Sequence, residues 1–170
     1  MPTSPYVVNV SSLLQKPGSM RELELDITAP ERIGEGLIHF AEGAELELDL
    51  RLESLHDGIL ATADVRGTLT GQCSRCLQDV SEPWSGHFAE LFGLQADEAL
   101  VYIVENEAVD LEGPLRDTVV LDLPFQPLCE PDCLGLDPAT GEKLTEPLPE
   151  PEDEIDPRWA QLQQLLDDKQ

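Results

Sequence analysis

The sequence predicts an α+β fold in which a curved antiparallel sheet of about six strands packs against one helix. Apolar and charged residues alternate at period two over much of the chain before residue 105, as in strands that bury one face. Apolar residues recur at helical spacing near residues 110–123, and Pro124 ends that helix. With 170 residues and 41% hydrophobic content, the chain is long enough to form a core.

The N-terminal part of the chain predicts two strands and a third short apolar segment. Tyr6–Val10 is rich in β-branched residues, which favour strands. In Leu23–Ile27 the apolar residues alternate with carboxylates, which predicts a half-buried strand with an acidic outer face. The apolar segment 37–40 is interpreted as a strand or a connector.

The clearest alternation in the chain lies between residues 45 and 53. Its leucines occupy alternate positions and charged residues fill the positions between them, so period two gathers the leucines on one face. Asp57-Gly58 is a tight-turn signal. It predicts that the chain returns through Ile59–Thr70, a strand region interrupted near Arg66-Gly67.

Two further strands and the helix follow. Val80–Phe92 places its large apolar residues on one parity, and His87 falls on the opposite parity as a surface residue. Leu100–Val104 is a dense apolar strand. Asp110 is predicted to be the N-cap of the helix that runs to Leu123.

Four cysteines form two short pairs, Cys73-x-x-Cys76 and Cys129-x-x-x-Cys133, and the chain has no others. Two close cysteines can bind one tetrahedral ion, and two such pairs complete the shell of a structural zinc site. The sequence therefore predicts a zinc lobe that ties the helix exit to a strand hairpin.

Three other interpretations of these cysteines remain open. Disulfides are typical of exported proteins, but Met1–Val10 lacks the charged and apolar regions of a signal peptide. A redox Cys-x-x-Cys usually lies at a strand-to-helix turn, and no such unit is predicted around Cys73. Four buried thiols acting as small hydrophobes are the third interpretation. Polar residues within both pairs favour loops, and hence zinc.

The charge balance limits the partners. The chain has 35 acidic and 10 basic residues, a formal net charge of -25. Such a chain repels phosphate backbones at long range, so direct binding of naked RNA is not expected. The charge instead favours basic partners, such as ribosomal proteins. Solubility or a saline cytoplasm would explain the same composition. No apolar run approaches the length of a membrane span, and a cytoplasmic location is expected.

The predicted domain organisation has three parts. Residues 1–143 form the β-rich domain with the cysteine lobe, residues 144–155 an acidic Pro-rich linker, and residues 156–168 an amphipathic helix. A short helix on a linker is marginal alone and must dock on its own domain or on a partner. Its apolar stripe is the predicted partner-binding site: Trp159, Leu162 and Leu166.

These features resemble the YceD family, the large ribosomal RNA subunit accumulation proteins. The resemblance rests on the segments Gly71–Leu77 and Leu123–Cys129 and on Cys133–Leu136, with weaker matches near both ends of the chain. Many members continue with a third cysteine pair, whose positions here are Asp137 and Thr140. Only the first four cysteines are therefore carried over as metal ligands.

The resemblance implies a part in the maturation or stability of large-subunit (23S) ribosomal RNA but supplies no reaction. No catalytic triad, phosphate loop or paired-carboxylate site stands out. The protein is therefore predicted to act by binding the large ribosomal subunit precursor or a basic ribosomal protein, and not by catalysis. One alternative is a metal-assisted RNA-processing enzyme. The other is an acidic nucleic-acid mimic or chaperone for a basic ribosomal protein.

Overall fold

A computed structural model describes residues 4–95 and 100–148. Its strands are β1 (Val7–Asn9), β2 (Met20–Thr28), β3 (Ile38–His39), β4 (Glu45–Ser54), β5 (Gly58–Gln72), β6 (Asp79–Gly93), β7 (Tyr102–Ile103) and β8 (Ala108–Asp110), and its helix is α1 (Glu112–Asp122). The predicted class, a mainly antiparallel sheet with one helix, is confirmed for the described residues.

The main sheet has six strands. Four of them follow the order β2-β4-β5-β6 with antiparallel pairing, and β3 also pairs antiparallel with β5. The pairing departs from the predicted antiparallel arrangement at one edge, where β7 runs parallel to β6 through Phe92 and Gly93. A separate two-stranded ribbon is formed by β1 and β8. The sequence analysis did not predict β8 as a strand.

The β4 alternation forms as predicted. Its four leucines, from Leu46 to Leu52, are at most 2% exposed, and the intervening residues lie on the outer face. The turn signal at Asp57-Gly58 is also confirmed, since Leu55 N–H donates to Gly58 O at 2.8 Å between β4 and β5. The burial of this leucine face accounts for much of the core.

The predicted interruption near Arg66-Gly67 is wrong, because β5 continues unbroken for 15 residues. The strand that pairs with β5 on this side changes instead: β4 pairs with β5 as far as Gly67, and β3 pairs with β5 at Thr70 and Gly71. A Cβ on Gly67 would approach Phe40 to 2.7 Å, and one on Gly71 would overlap Leu37 O. Both glycines therefore allow neighbouring chain to come close to β5.

Helix α1 packs its buried residues Pro114, Leu115 and Val119 into the core, and the helix contacts β6. The predicted N-cap is corrected by one residue: Leu111 is the N-cap, and Asp110 ends β8. Asp110 still acts at the helix start, because its carboxylate accepts the Glu112 N–H at 3.0 Å. The helix ends before Pro124 as predicted.

The chain divides into two compact units between Cys133 and Leu134. In the described part of the second unit, Leu136 bridges to Lys143, and Asp137 accepts the N–H groups of Ala139 and Thr140. The predicted boundaries at residues 143/144 and 155/156 stay predictions. The helix proposed for 156–168 lies outside the described residues.

Candidate metal centre

The two cysteine pairs are placed by the ends of the longest hairpin and of the helix. Cys73 directly follows β5 and Cys76 lies in the loop that leads to β6, whereas Cys129 and Cys133 lie on the chain beyond α1. A backbone bond joins the two segments, since Ser74 N–H donates to Pro127 O at 2.8 Å. Tertiary contacts thus bring together two cysteine pairs that lie far apart in sequence.

The first cysteine pair lies in a tight loop that is closed by backbone hydrogen bonds. Cys73 N–H donates to Gln78 O at 2.8 Å, and Leu77 N–H donates back to Cys73 O at 3.0 Å. Leu77 adopts a φ of 60°, in the left-handed region where non-glycine residues are uncommon. Leu77 is 54% exposed, so burial of its side chain does not explain that conformation. The turn points both thiols of the pair in one direction.

The four sulfurs converge on one centre. Cys73 Sγ lies 3.8 Å from Cys133 Sγ, and Cys76 Sγ lies 3.5 Å from Cys129 Sγ. All four sulfurs lie within 4.8 Å of one another. A tetrahedral zinc with bonds of ~2.3 Å separates its sulfurs by about 3.8 Å. The donor set and spacing therefore fit one metal ion.

Burial and charge also suit a metal. Cys73, Cys76 and Cys133 are at most 4% exposed, and Cys129 is half-buried. Burial by itself would raise the pKa of the Cys73 thiol, but backbone N–H groups of Cys76, Cys129 and Arg75 lower it to about 6. Burial and the three neighbouring sulfurs raise the pKa of Cys129 to about 12. Four thiolates this close together repel one another, so a cation would be needed to hold all four in the ionised form.

The geometry bears on each of the other interpretations of the cysteines. All four are free thiols, so the disulfide interpretation does not describe this structure. The first pair lies in a strand-to-strand loop, not at the start of a helix as in redox Cys-x-x-Cys motifs. The thiols are buried, but they also converge, and converging ligand atoms are not required of thiols that only fill space.

Arg75 is a supporting residue that the sequence analysis did not single out. Its Nη1 donates to Cys133 O at 2.7 Å, so a side chain from within the first pair fixes the backbone of the second. Cys133 N–H in turn donates to Glu130 O at 3.1 Å. The sequence signal that could have identified Arg75 is its position as a single arginine within the first cysteine pair, when the second pair encloses Glu130 and Asp132.

The other predicted site residues are not placed by the structure. Trp159, Leu162 and Leu166 lie outside the described residues. His87, predicted to be a surface strand residue, is exposed on β6 and contacts Asp64 at 2.9 Å. Among residues 4–95 and 100–148, no other group of three or more potential ligand side chains converges as the cysteines do.

Within the described residues, the fold and the site define a β-rich protein in which the β5–β6 hairpin and the chain beyond α1 meet at four converging cysteines that could hold a metal ion. No helix within residues 4–95 and 100–148 has the length and apolar character needed to cross a bilayer. The chain belongs to the YceD family: the family model described as "Large ribosomal RNA subunit accumulation protein YceD" matches residues 61–166. The family description assigns a role in accumulation of the large ribosomal RNA subunit.

Similar proteins occur in actinobacteria and in Bacillus. An uncharacterized protein of Mycobacterium tuberculosis, Rv2926c, is 41% identical over 170 residues, which cover 96% of this chain and 82% of that protein. ML1660 of Mycobacterium leprae is 33% identical, with 96% and 78% covered. YlbN of Bacillus subtilis is 30% identical over 110 residues, 60% of this chain and 63% of that protein. No solved structure gives a significant match.

Proposed function

We propose that this protein is a ribosome biogenesis factor that supports the accumulation and maturation of 23S ribosomal RNA by binding rather than by catalysis. Membership of the YceD family carries the proposal, because the family description links it to the large ribosomal RNA subunit. The converging cysteines give the molecular detail. They would hold a structural zinc that joins the β5–β6 hairpin to the exit of α1.

The ligand set favours binding over catalysis. A catalytic zinc keeps a coordination position open for water or substrate, whereas four thiolates fill a tetrahedral shell. Three of the four cysteines are also almost fully buried, so a substrate has little access to the centre. The same argument disfavours a metal-assisted RNA-processing enzyme at this site.

The charge supports a basic partner. With a formal net charge of -25, the protein attracts basic ribosomal proteins or a basic patch on the large-subunit precursor. The described sheet contributes to this charge, because the outer positions of β2 and β4 carry Glu22, Glu24, Asp26, Glu45, Glu47 and Asp49. Attraction of this kind raises association rates and weakens as salt screens it.

The test uses cells that lack the protein. The full chain is expected to restore the ratio of large-subunit to small-subunit ribosomal RNA, and affinity purification at low salt is expected to recover large-subunit proteins that high salt removes. The proposal would be refuted if the full chain stabilised unrelated RNAs but left the ratio of large-subunit to small-subunit ribosomal RNA unchanged. A cysteine variant that loses its metal yet restores the ratio would separate the function from the zinc centre.

A further inference from the structure

Two neighbouring cavities lie on the first compact unit, and the lining of one extends to Gln72, the residue before Cys73. One, of about 850 Å³, is lined by the loop around Arg32 and by the exit of α1, including Val120, Pro124 and Phe125. The other, of about 620 Å³, is lined by residues of β3, β5 and β6. Arg32, Gly36 and Leu37 line both cavities, so the two form one continuous surface, here called the Arg32 groove.

The first half of the Arg32 groove presents an aromatic ring to solvent. Phe125 is 96% exposed, whereas every other aromatic side chain in the described residues is buried or half-buried. It follows Leu123, which caps α1 in an extended conformation, and Pro124. Leu37 and Val120 add exposed apolar surface beside it. An exposed ring with apolar neighbours is a stacking platform.

Arg32 supplies a positive charge between the two halves. Its guanidinium donates to Gly34 O at 3.1 Å and to Gly36 O at 2.7 Å, which holds the loop and leaves other N–H groups of its five available. No carboxylate of the described chain lies within 4.0 Å of it. Arg116, at the same groove, is instead paired with Glu31 and Glu112. Arg32 is therefore the cation in this groove that can bind an anionic ligand.

The second half of the groove offers polar donors in one row. His39, Thr70 and Ser81 face one another across β3, β5 and β6, and all three line the cavity. The Nδ1 atom of His39 is buried without a hydrogen-bond partner. Hydroxyl and guanidinium groups are among the usual protein contacts to a nucleic-acid phosphate. Glu35 and Asp79 also line the groove and limit it to a weak contact with one phosphate.

We propose that the Arg32 groove binds one unpaired RNA nucleotide, with its base against Phe125 and its phosphate between Arg32 and the His39–Thr70–Ser81 row. This inference rests on the proposed function and names a ligand for it. The unpaired guanidinium of Arg32, which lines both cavities, disfavours a basic protein segment at this point. The net charge excludes a long track of phosphate contacts, but one nucleotide needs only a local site, engaged after a protein partner has brought the particle close.

The test is fluorescence anisotropy with a labelled single-stranded RNA heptamer and the full chain. Binding is expected to be weak, with a slope of log K against log salt no steeper than about -0.7, the value for one phosphate contact on a single strand. Phe125→Ala should weaken it at least about fivefold, since stacking is lost. Arg32→Gln should weaken it as well. Duplex RNA of the same sequence should bind less, because its bases are already stacked.

Leu121→Ala is the matched control. Leu121 is 87% exposed on α1 and lines neither cavity, so RNA binding should be unchanged. Equal affinities of wild type and Phe125→Ala, or no binding of single-stranded RNA at roughly 1 mM protein, would overturn the inference. Loss of a co-purifying ribosomal protein on Phe125→Ala, with RNA binding intact, would make the groove a protein-docking surface. If wild type still restores large-subunit RNA in cells, any of these results leaves the proposed function standing.

Discussion

At the scale of single residues, the cysteine centre depends on a few backbone contacts between distant segments. Ser74 N–H and the Arg75 guanidinium both reach across to the second pair, through Pro127 O and Cys133 O. Both contacts are made by protein groups alone, so the two cysteine segments are held together by more than their thiols. Preorganised ligands lose less conformational freedom on binding, which favours tight binding.

Cys129→Ser tests the metal centre. Replacing one of four thiolates should abolish stoichiometric zinc binding and lower Tm by about 5 °C or more, because the centre joins two distant segments. Metal analysis and thermal unfolding measure both effects. A chelator should lower the Tm of wild type to a similar value and leave that of the variant unchanged. A variant that keeps one equivalent of zinc at wild-type stability would contradict a four-cysteine site.

His39 links stability to acid pH. Burial lowers the pKa of His39 from its ordinary value of 6.5, and the charge of Arg32 lowers it further. The folded state therefore takes up this proton less readily than the unfolded state, so stability should fall as pH falls below about 6.5. His39→Gln should reduce that loss in urea unfolding between pH 7 and pH 5. His56→Gln, at an exposed turn position, should keep the wild-type pH dependence.

At the scale of elements, long alternating patterns were predictable and short pairings were not. Four leucines in β4 at period two leave no other arrangement that buries them together, so this strand was predicted correctly. A strand was predicted at Leu100–Val104, where the structure has β7, but its parallel pairing with β6 involves only two residues and could not be predicted from the sequence. The β5 strand looked interrupted at Gly67 because glycine weakens strands, but there the glycine makes room for Phe40 and Leu46.

Helix α1 can be tested by two leucine substitutions. Leu115 is 0% exposed, and Leu115→Ala should lower the free energy of unfolding by about 2–5 kcal/mol through the cavity it leaves. Leu121→Ala should change it by no more than about 0.5 kcal/mol, since that side chain is 87% exposed. Urea unfolding measures both. Similar losses for the two variants would show that α1 packs through a different face.

At the scale of the whole molecule, the sequence shows which residues are charged but not which ones meet. Arg32 and Phe125 lie far apart along the chain, and only the packing of α1 beside the Arg32 loop places them at one groove. The cysteine centre was predictable because both of its halves carry a spacing that is recognisable locally. The groove has no such local signal, which is why the sequence analysis singled out neither Arg32 nor Phe125.

Deleting residues 144–170 tests the predicted linker and terminal helix. The truncated chain should keep its zinc and its Tm, because all four cysteines belong to the first compact unit. It should restore large-subunit RNA less well than the full chain if the acidic segment and Trp159, Leu162 and Leu166 recruit the partner. Full restoration would show that this segment is dispensable and direct the search for the partner surface to the sheet.

The β1–β8 ribbon has a consequence for how the protein forms as it is made. Val7 pairs with Asp110, so β1 has no partner strand until β8 has been synthesised, and this pairing raises the contact order of the fold. At a synthesis rate of ~5–20 residues per second, roughly 5–20 s pass between the synthesis of β1 and that of β8. The β4–β5–β6 meander, built from neighbours in sequence, can form during that wait. Vectorial synthesis should therefore make the meander first, with the ribbon and then the metal centre closing last.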